Sequence, residues 1–157
     1  FYLHFYTVNT AKLSENVWKE AEKMLEQIQK YPQKEEYQKL VEADRINLYE
    51  REAEKGDDRK FLEETDRVFK ENLRGDPAWK LYERKLVYLE SKQPDISREF
   101  ERFLKKYPKV MDAYVEYSIY LCRNNKMTQA QRVYREGRKR TGMTSKRAEE
   151  LRRKLGL

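Results

Sequence analysis

The chain has little cysteine, histidine, glycine or proline, and each scarcity excludes something. Cys122 is the only cysteine among 157 residues, so no disulfide framework forms within the chain and a reducing compartment is expected. Its position beside Leu121 on an apolar helical face marks it as a small buried residue. His4 is the only histidine and stands among aromatics, which excludes a histidine-based triad or a multi-histidine metal site. The five glycines form no phosphate-cradling loop. Acidic pairs are frequent, but none sits in an apolar setting that would raise a carboxyl pKa for acid–base work. The composition therefore points away from an enzyme, and no cofactor or metal is expected. No apolar run approaches the roughly twenty residues needed to span a bilayer, and no signal peptide is visible. The chain begins at Phe1, without methionine and inside a predicted helix, so it reads as a fragment of a longer protein.

What is present is charge and aromaticity. Charged residues make up 40%, hydrophobic ones 38% and aromatics 13%. That many aromatics argue against disorder, and the charge argues for long solvated helical faces over a thin core. No alternating strand pattern of useful length occurs. The expected class is all-α, in one domain.

The stretch Pro77–Pro108, DPAWKLYERKLVYLESKQPDISREFERFLKKYP when Asp76 is included, organises the rest. Pro77 is tolerated in a first helical turn. Trp79, Tyr82, Leu86 and Leu89 follow at spacings of three and four, which gives one apolar face. Pro94 breaks the helix. A second helix carries Ile96, Phe100, Phe103 and Leu104 on one face and ends at Pro108. Two amphipathic helices in about thirty residues make a hairpin that needs neighbours on both sides.

Copies of the second helix recur. TDRVFKENLRGDP (65–77), ISREFERFLKKYP (96–108) and AQRVYREGRKRTG (130–142) align without gaps, and AEKMLEQIQKYP (21–32) aligns with one residue fewer. Trp79-x-x-Tyr82 is echoed by Tyr114-x-x-Tyr117, and more weakly by Ile46-x-x-Tyr49 and Tyr2-x-x-Phe5. The approximate repeats are 1–32, 33–76, 77–108 and 109–142, with 143–157 as a capping helix. Trp79, Tyr82, Phe100, Leu104, Tyr114, Tyr117, Ala130 and Tyr134 are the expected repeat core.

This pattern resembles the half-a-tetratricopeptide (HAT) repeat. In that family the first helix carries Trp-x-x-Tyr, matched by Trp79 and Tyr82. The second reads roughly Ala-Arg-x-Ile-Tyr-Glu-Arg-Ala-Leu-x-x-x-Pro, matched best by Ala130, Arg132, Val133 and Tyr134. Departures exist: only one first helix has the tryptophan, Ile96 stands where a small residue is usual, and Lys70-Glu71 and Arg135-Glu136 reverse the charge order. The resemblance implies a right-handed array of antiparallel helical hairpins, an α-solenoid. It also implies a scaffold for protein partners in a nuclear ribonucleoprotein assembly: pre-mRNA splicing, mRNA 3′-end processing or rRNA maturation. Family members often self-associate, which adds a homo-oligomer as an expectation. The tetratricopeptide repeat is similar and gives the alternative, a peptide-docking module of a cytoplasmic complex.

Along the chain, Ser14 is expected to cap a helix through Lys30 with Trp18, Ala21, Leu25 and Ile28 as its stripe. A longer helix runs from about Lys34 to Lys55, with Tyr37, Leu40, Val41, Ile46 and Tyr49 inward, a break near Ala43 and Gly56 as its stop. Asp57 or Asp58 caps the next, with Phe61, Leu62, Val68, Phe69 and Leu73 inward. Tyr31 and Tyr107 are expected to pack into turns. Arg74-Gly75-Asp76 spells the integrin-recognition tripeptide, but a helix stop at Gly75 and a start at Pro77 explain every residue of it. After RNNK (123–126) a helix reaches Arg140, Gly142 stops it, and Ser145 caps a last helix with Ala148, Leu151 and Leu155 on its apolar side.

Charge is uneven. Residues 1–120 hold 23 Lys and Arg against 25 Asp and Glu, and residues 121–157 hold 12 against 3. The whole net charge of +7 thus arises in the last quarter. Arg132, Arg135, Arg138, Lys139 and Arg140 lie on one predicted helix, and Lys146, Arg147, Arg152, Arg153 and Lys154 on the next. They are the candidate docking residues for an acidic protein segment, with Leu151 and Leu155 adding apolar contact. Direct RNA binding through them is the second alternative, weak and sequence-nonspecific, since no glycine loop or aromatic is presented beside them. A solvated basic face without a ligand is the plain alternative. Lys139-Arg140 and Arg152-Arg153-Lys154 also resemble a bipartite nuclear import signal, which is read in extended form and which a helix would hide. The tyrosines fall at core spacing, which favours packing over base stacking.

Overall fold

The computed structural model describes residues 15–31, 35–70 and 75–157. The described residues are all-α, with eight helices and no strand: α1 Glu15–Gln29, α2 Glu35–Glu54, α3 Arg59–Lys70, α4 Gly75–Glu90, α5 Ser97–Lys106, α6 Met111–Arg123, α7 Met127–Thr141 and α8 Lys146–Lys154. They fall into two compact units, Phe1–Arg67 and Val68–Leu157, with the division inside α3. Tyr2, His4, Phe5, Tyr6, Ser14, Leu73 and Arg74 lie outside the described residues.

In the first unit α1 packs on α2. Trp18, Ala21 and Leu25 bury against Leu48, with Met24, Ile28 and Val41 around them. The guanidinium of Arg51 lies over the Trp18 ring, 4.3 Å from its centre. No break occurs near Ala43; α2 runs unbroken. The sequence hides this because α2 has two apolar stripes instead of one. Val41 and Leu48 meet α1. Ile46 and Ala53 are buried on a second stripe, beside Tyr49, whose ring takes Lys60 of α3 at 5.5 Å. A helix wanted on two sides loses the one-sided pattern that marks a surface helix. Glu64 is buried and held by Arg45 at 3.2 Å and Arg67 at 2.8 Å. Buried carboxylates survive only with such partners.

In the second unit an aromatic cluster joins the end of α3 to α4, α5 and α6. Phe69 lies 4.7 Å from Tyr82 and 5.9 Å from Tyr107. Trp79 meets Phe103 edge-on at 5.0 Å. Phe100 stacks on Tyr117 at 4.8 Å. These are the offset and edge geometries that ring quadrupoles favour. Under the cluster, Lys85 and Glu99 form an ion pair at 3.0 Å, and Tyr82 donates its hydroxyl to the same carboxylate at 2.6 Å. Burial works to raise the Glu99 carboxyl, but the bonds from Tyr82 and Lys85 outweigh it and hold it below its ordinary value.

The repeat register is visible in burial. The first aligned position, held by Ala21, Thr65, Ile96 and Ala130, is buried in all four second helices. So is the fifth, held by Leu25, Phe69, Phe100 and Tyr134. In the first helices Ile46, Trp79 and Tyr114 are buried, and seven residues on so are Ala53, Leu86 and Leu121.

Four further expectations need correction. Cys122 is half-buried instead of buried. Leu104 is half-buried instead of core and lines a groove beside α7. Gly75 does not stop a helix but opens α4. What it supplies is smallness, because a Cβ there would lie 2.6 Å from Cγ2 of Val110. Tyr31 is exposed, whereas Tyr107 packs as expected.

Candidate docking surface

The basic quarter is built on α7 and α8. Three features fix these helices. Asn125 turns the chain with a φ of 58° between α6 and α7. Gly142 ends α7 in the left-handed region at 62°, its N–H donating to the carbonyl of Arg138. Such a φ costs glycine nothing. Ser145 then caps α8, accepting from the N–H of Ala148 at 3.2 Å, which satisfies one of the unpaired donors at a helix start.

Helix α7 packs tightly on α6, and one glycine allows it. Gly137 is buried, and a Cβ there would lie 2.6 Å from Cβ and Cγ of Tyr114. Helix α8 closes the hairpin from the other side. Tyr134 donates to the carbonyl of Ala148 at 3.0 Å, and Gln131 to that of Leu155 at 2.8 Å. Leu151 and Leu155 are therefore 6% and 3% exposed. They hold α8 down and cannot offer the apolar contact expected of them.

The ten candidate cations divide into two groups. Arg138 pairs with Glu149 at 3.3 Å, Arg140 with Glu136 at 2.8 Å, Arg152 with Glu149 at 2.9 Å, and Arg147 with Glu116. Arg138 and Arg147 link helices, α7 to α8 and α8 to α6, whereas Arg140 and Arg152 pair on the surface of their own helices; Glu149 is held below its ordinary pKa by its bonds from Thr144 and Arg152. Arg132, Arg135, Lys139, Lys146, Arg153 and Lys154 make no ion pair with the described residues. Arg132, Arg135 and Lys139 follow one another at three and four residues along the exposed face of α7. The two basic clusters of the import-signal pattern both lie in or beside helical turns, Lys139 and Arg140 in α7 and Arg152 to Lys154 in α8.

Beside this stripe α5, α6 and α7 enclose a groove of about 700 Å³. Leu104, Tyr114, Tyr117, Leu121 and Val133 line it from below, and Lys105, Lys126, Arg132 and Arg140 stand around it with Asp95, Glu101 and Glu136. A second depression of about 570 Å³ is lined by Arg135, Glu136, Lys139 and Arg140. Most of the carboxylates are engaged. Asp95 binds Lys126 at 3.1 Å and the N–H of Ser97 at 2.8 Å; the bonds from Ser97 and then Lys126 hold its pKa well below the usual carboxylate range. Glu101 accepts the Tyr117 hydroxyl at 3.1 Å, and burial first, then the Glu101 charge, pushes Tyr117 up to about 12.

No family model, curated protein or solved structure matches this chain.

The ten basic residues thus lie on α7 and α8, and only Arg132, Arg135 and Lys139 form a stripe without an ion pair among the described residues. The groove was missed. The second-helix alignment places Leu104 level with Leu73 and so points it to the core, which hides its place in the groove. Val133 was the available signal. It occupies the place of Met24 and Val68 in other copies, where the side chain is packed or buried, yet it stays half-buried beside the groove.

Among the described residues, no helix is long and apolar enough to cross a membrane.

Proposed function

We propose that this chain is a non-catalytic helical-repeat scaffold that docks protein partners in a nuclear RNA-processing assembly. The observation that carries the reading is the shared burial of aligned positions one and five in four successive second helices. A repeat whose every copy buries the same positions supports an array of antiparallel hairpins, right-handed in the HAT manner, with α8 as its cap. Such arrays present extended surfaces and need no catalytic constellation. The nuclear RNA-processing context follows from the HAT resemblance of Trp79-x-x-Tyr82 and Ala130 to Tyr134.

The unpaired stripe Arg132, Arg135, Lys139 favours one further reading, direct RNA binding. Phosphate contacts alone give weak binding, with dissociation constants of about 10⁻⁴–10⁻⁶ M near physiological salt. A nitrocellulose titration of the chain with RNAs of different sequence at several salt concentrations separates the two. Protein docking predicts weak RNA binding that vanishes as salt rises and ignores sequence. Nanomolar binding that discriminates against scrambled competitors would overturn it.

A further inference from the structure

We propose that the groove between α5 and α7 holds a short acidic peptide segment, whose apolar side chains rest on Leu104 and Val133 while its carboxylates meet Arg132 at the groove and reach Arg135 and Lys139 in the depression beside it. The inference rests on the protein-docking reading above and names the partner's chemistry and its seat.

The groove's size comes first. A volume of about 700 Å³ lies within the range of small-ligand pockets. It admits a few side chains of a segment and not a folded domain. The apolar surface inside it is real. Leu104 and Val133 are half-buried, with Leu121 beneath them. The fully buried residues beside them are Phe100, Phe103, Ala130 and Tyr134.

Charge selects the segment's sign. Of the groove's carboxylates, Asp95 and Glu136 are paired with Lys126 and Arg140, and Glu101 keeps its charge while accepting the Tyr117 hydroxyl, against which stand two cations of the lining, Lys105 and Arg132. The cations without an ion pair among the described residues are Lys105 on one wall and Arg132 on the other, continued along α7 by Arg135 and Lys139. The field left for a ligand is positive, and clustered positive charge draws in acidic partners.

Nucleic acid shares that sign but fits the groove worse. Tyr114 and Tyr117 are 2% and 6% exposed, and the Tyr117 ring is already stacked on Phe100. Their faces are closed to bases, so the stacking that single-strand binders depend on is absent.

The test is selection of random short peptides on the immobilised chain. The selected peptides are then titrated, by fluorescence anisotropy, against wild type and two variants: Arg132→Glu/Arg135→Glu/Lys139→Glu, and Leu104→Ser/Val133→Ser. All five positions are exposed or half-buried, and circular dichroism melting confirms that each variant is folded. The expected result is enrichment of Asp and Glu around large apolar residues, with affinity about tenfold or more weaker in both variants. Selected peptides that are basic, or whose binding ignores both variants, would overturn the groove while leaving the scaffold reading in place. Failure to select any peptide, with one RNA sequence bound at nanomolar strength over scrambled competitors and released by the charge-reversed variant, would overturn both.

Discussion

Replacing Gly137 by alanine adds one methyl group in the middle of α7, and the outcome separates two opposed effects. At an open helical site alanine is favoured over glycine by about 1 kcal/mol, because glycine loses more backbone freedom. At Gly137 the new Cβ would lie 2.6 Å from both Cβ and Cγ of Tyr114. Neither atom is the free end of a flexible side chain. Tyr114 is itself pinned, with its hydroxyl donating to the carbonyl of Pro108 at 3.1 Å. Helix α7 must therefore move away from α6. Overpacking of this kind costs about 1–3 kcal/mol, and rigid neighbours put it at the upper end. The net expectation is destabilisation by about 2 kcal/mol after the propensity gain. Urea denaturation measures it, with Trp18→Phe as background so that Trp79 alone reports on the second unit. An unchanged m-value with a lower midpoint is expected. A variant more stable than wild type by about 1 kcal/mol, the open-helix value, would refute the close approach of α6 and α7.

Trp79→Ala removes the ring that meets Phe103 and Phe100 and is expected to cost about 3–5 kcal/mol in urea denaturation. Ser145→Ala removes the cap on α8 and is expected to cost about 1 kcal/mol, with amide exchange of Ala148 accelerating ahead of global unfolding. The folded pKa of Glu99 lies below its unfolded value, so its contribution is complete above about pH 4.3 and is lost as pH falls through the folded value. Glu99→Gln should therefore flatten the loss of stability in acid, as followed by thermal melts from neutral pH to pH 3, and an unchanged acid slope would remove Glu99 as a cause.

Much of the fold was legible because the second helices repeat a pattern that one-sided packing imposes. Ala21, Thr65, Ile96 and Ala130 align in sequence, and all four are buried. Helix α2 was harder, since a helix packed on two sides spreads its apolar residues around the axis, and a break near Ala43 looked reasonable. Gly75 misled for another reason. Glycine is used for positive φ and for closeness, and sequence does not say which; Gly142 does the first, Gly75 and Gly137 the second. The basic quarter was legible as composition and not as a site. Ion pairing depends on which helix faces meet, so nothing in the chain order distinguishes Arg138, tied to Glu149 of the next helix, from unpaired Arg135 beside it. The groove was least legible, because it is formed by three helices whose half-buried residues are each unremarkable in their own stretch.

The most direct test of the scaffold reading is recovery from nuclear extract, nuclease-treated to remove RNA bridges, followed by mass spectrometry. The full chain and its Arg132→Glu/Arg135→Glu/Lys139→Glu variant are compared at equal loading. The reading predicts that wild type recovers protein components of one RNA-processing particle and that the variant loses them. Equal recovery by both, or recovery by wild type of no RNA-processing protein, would contradict it.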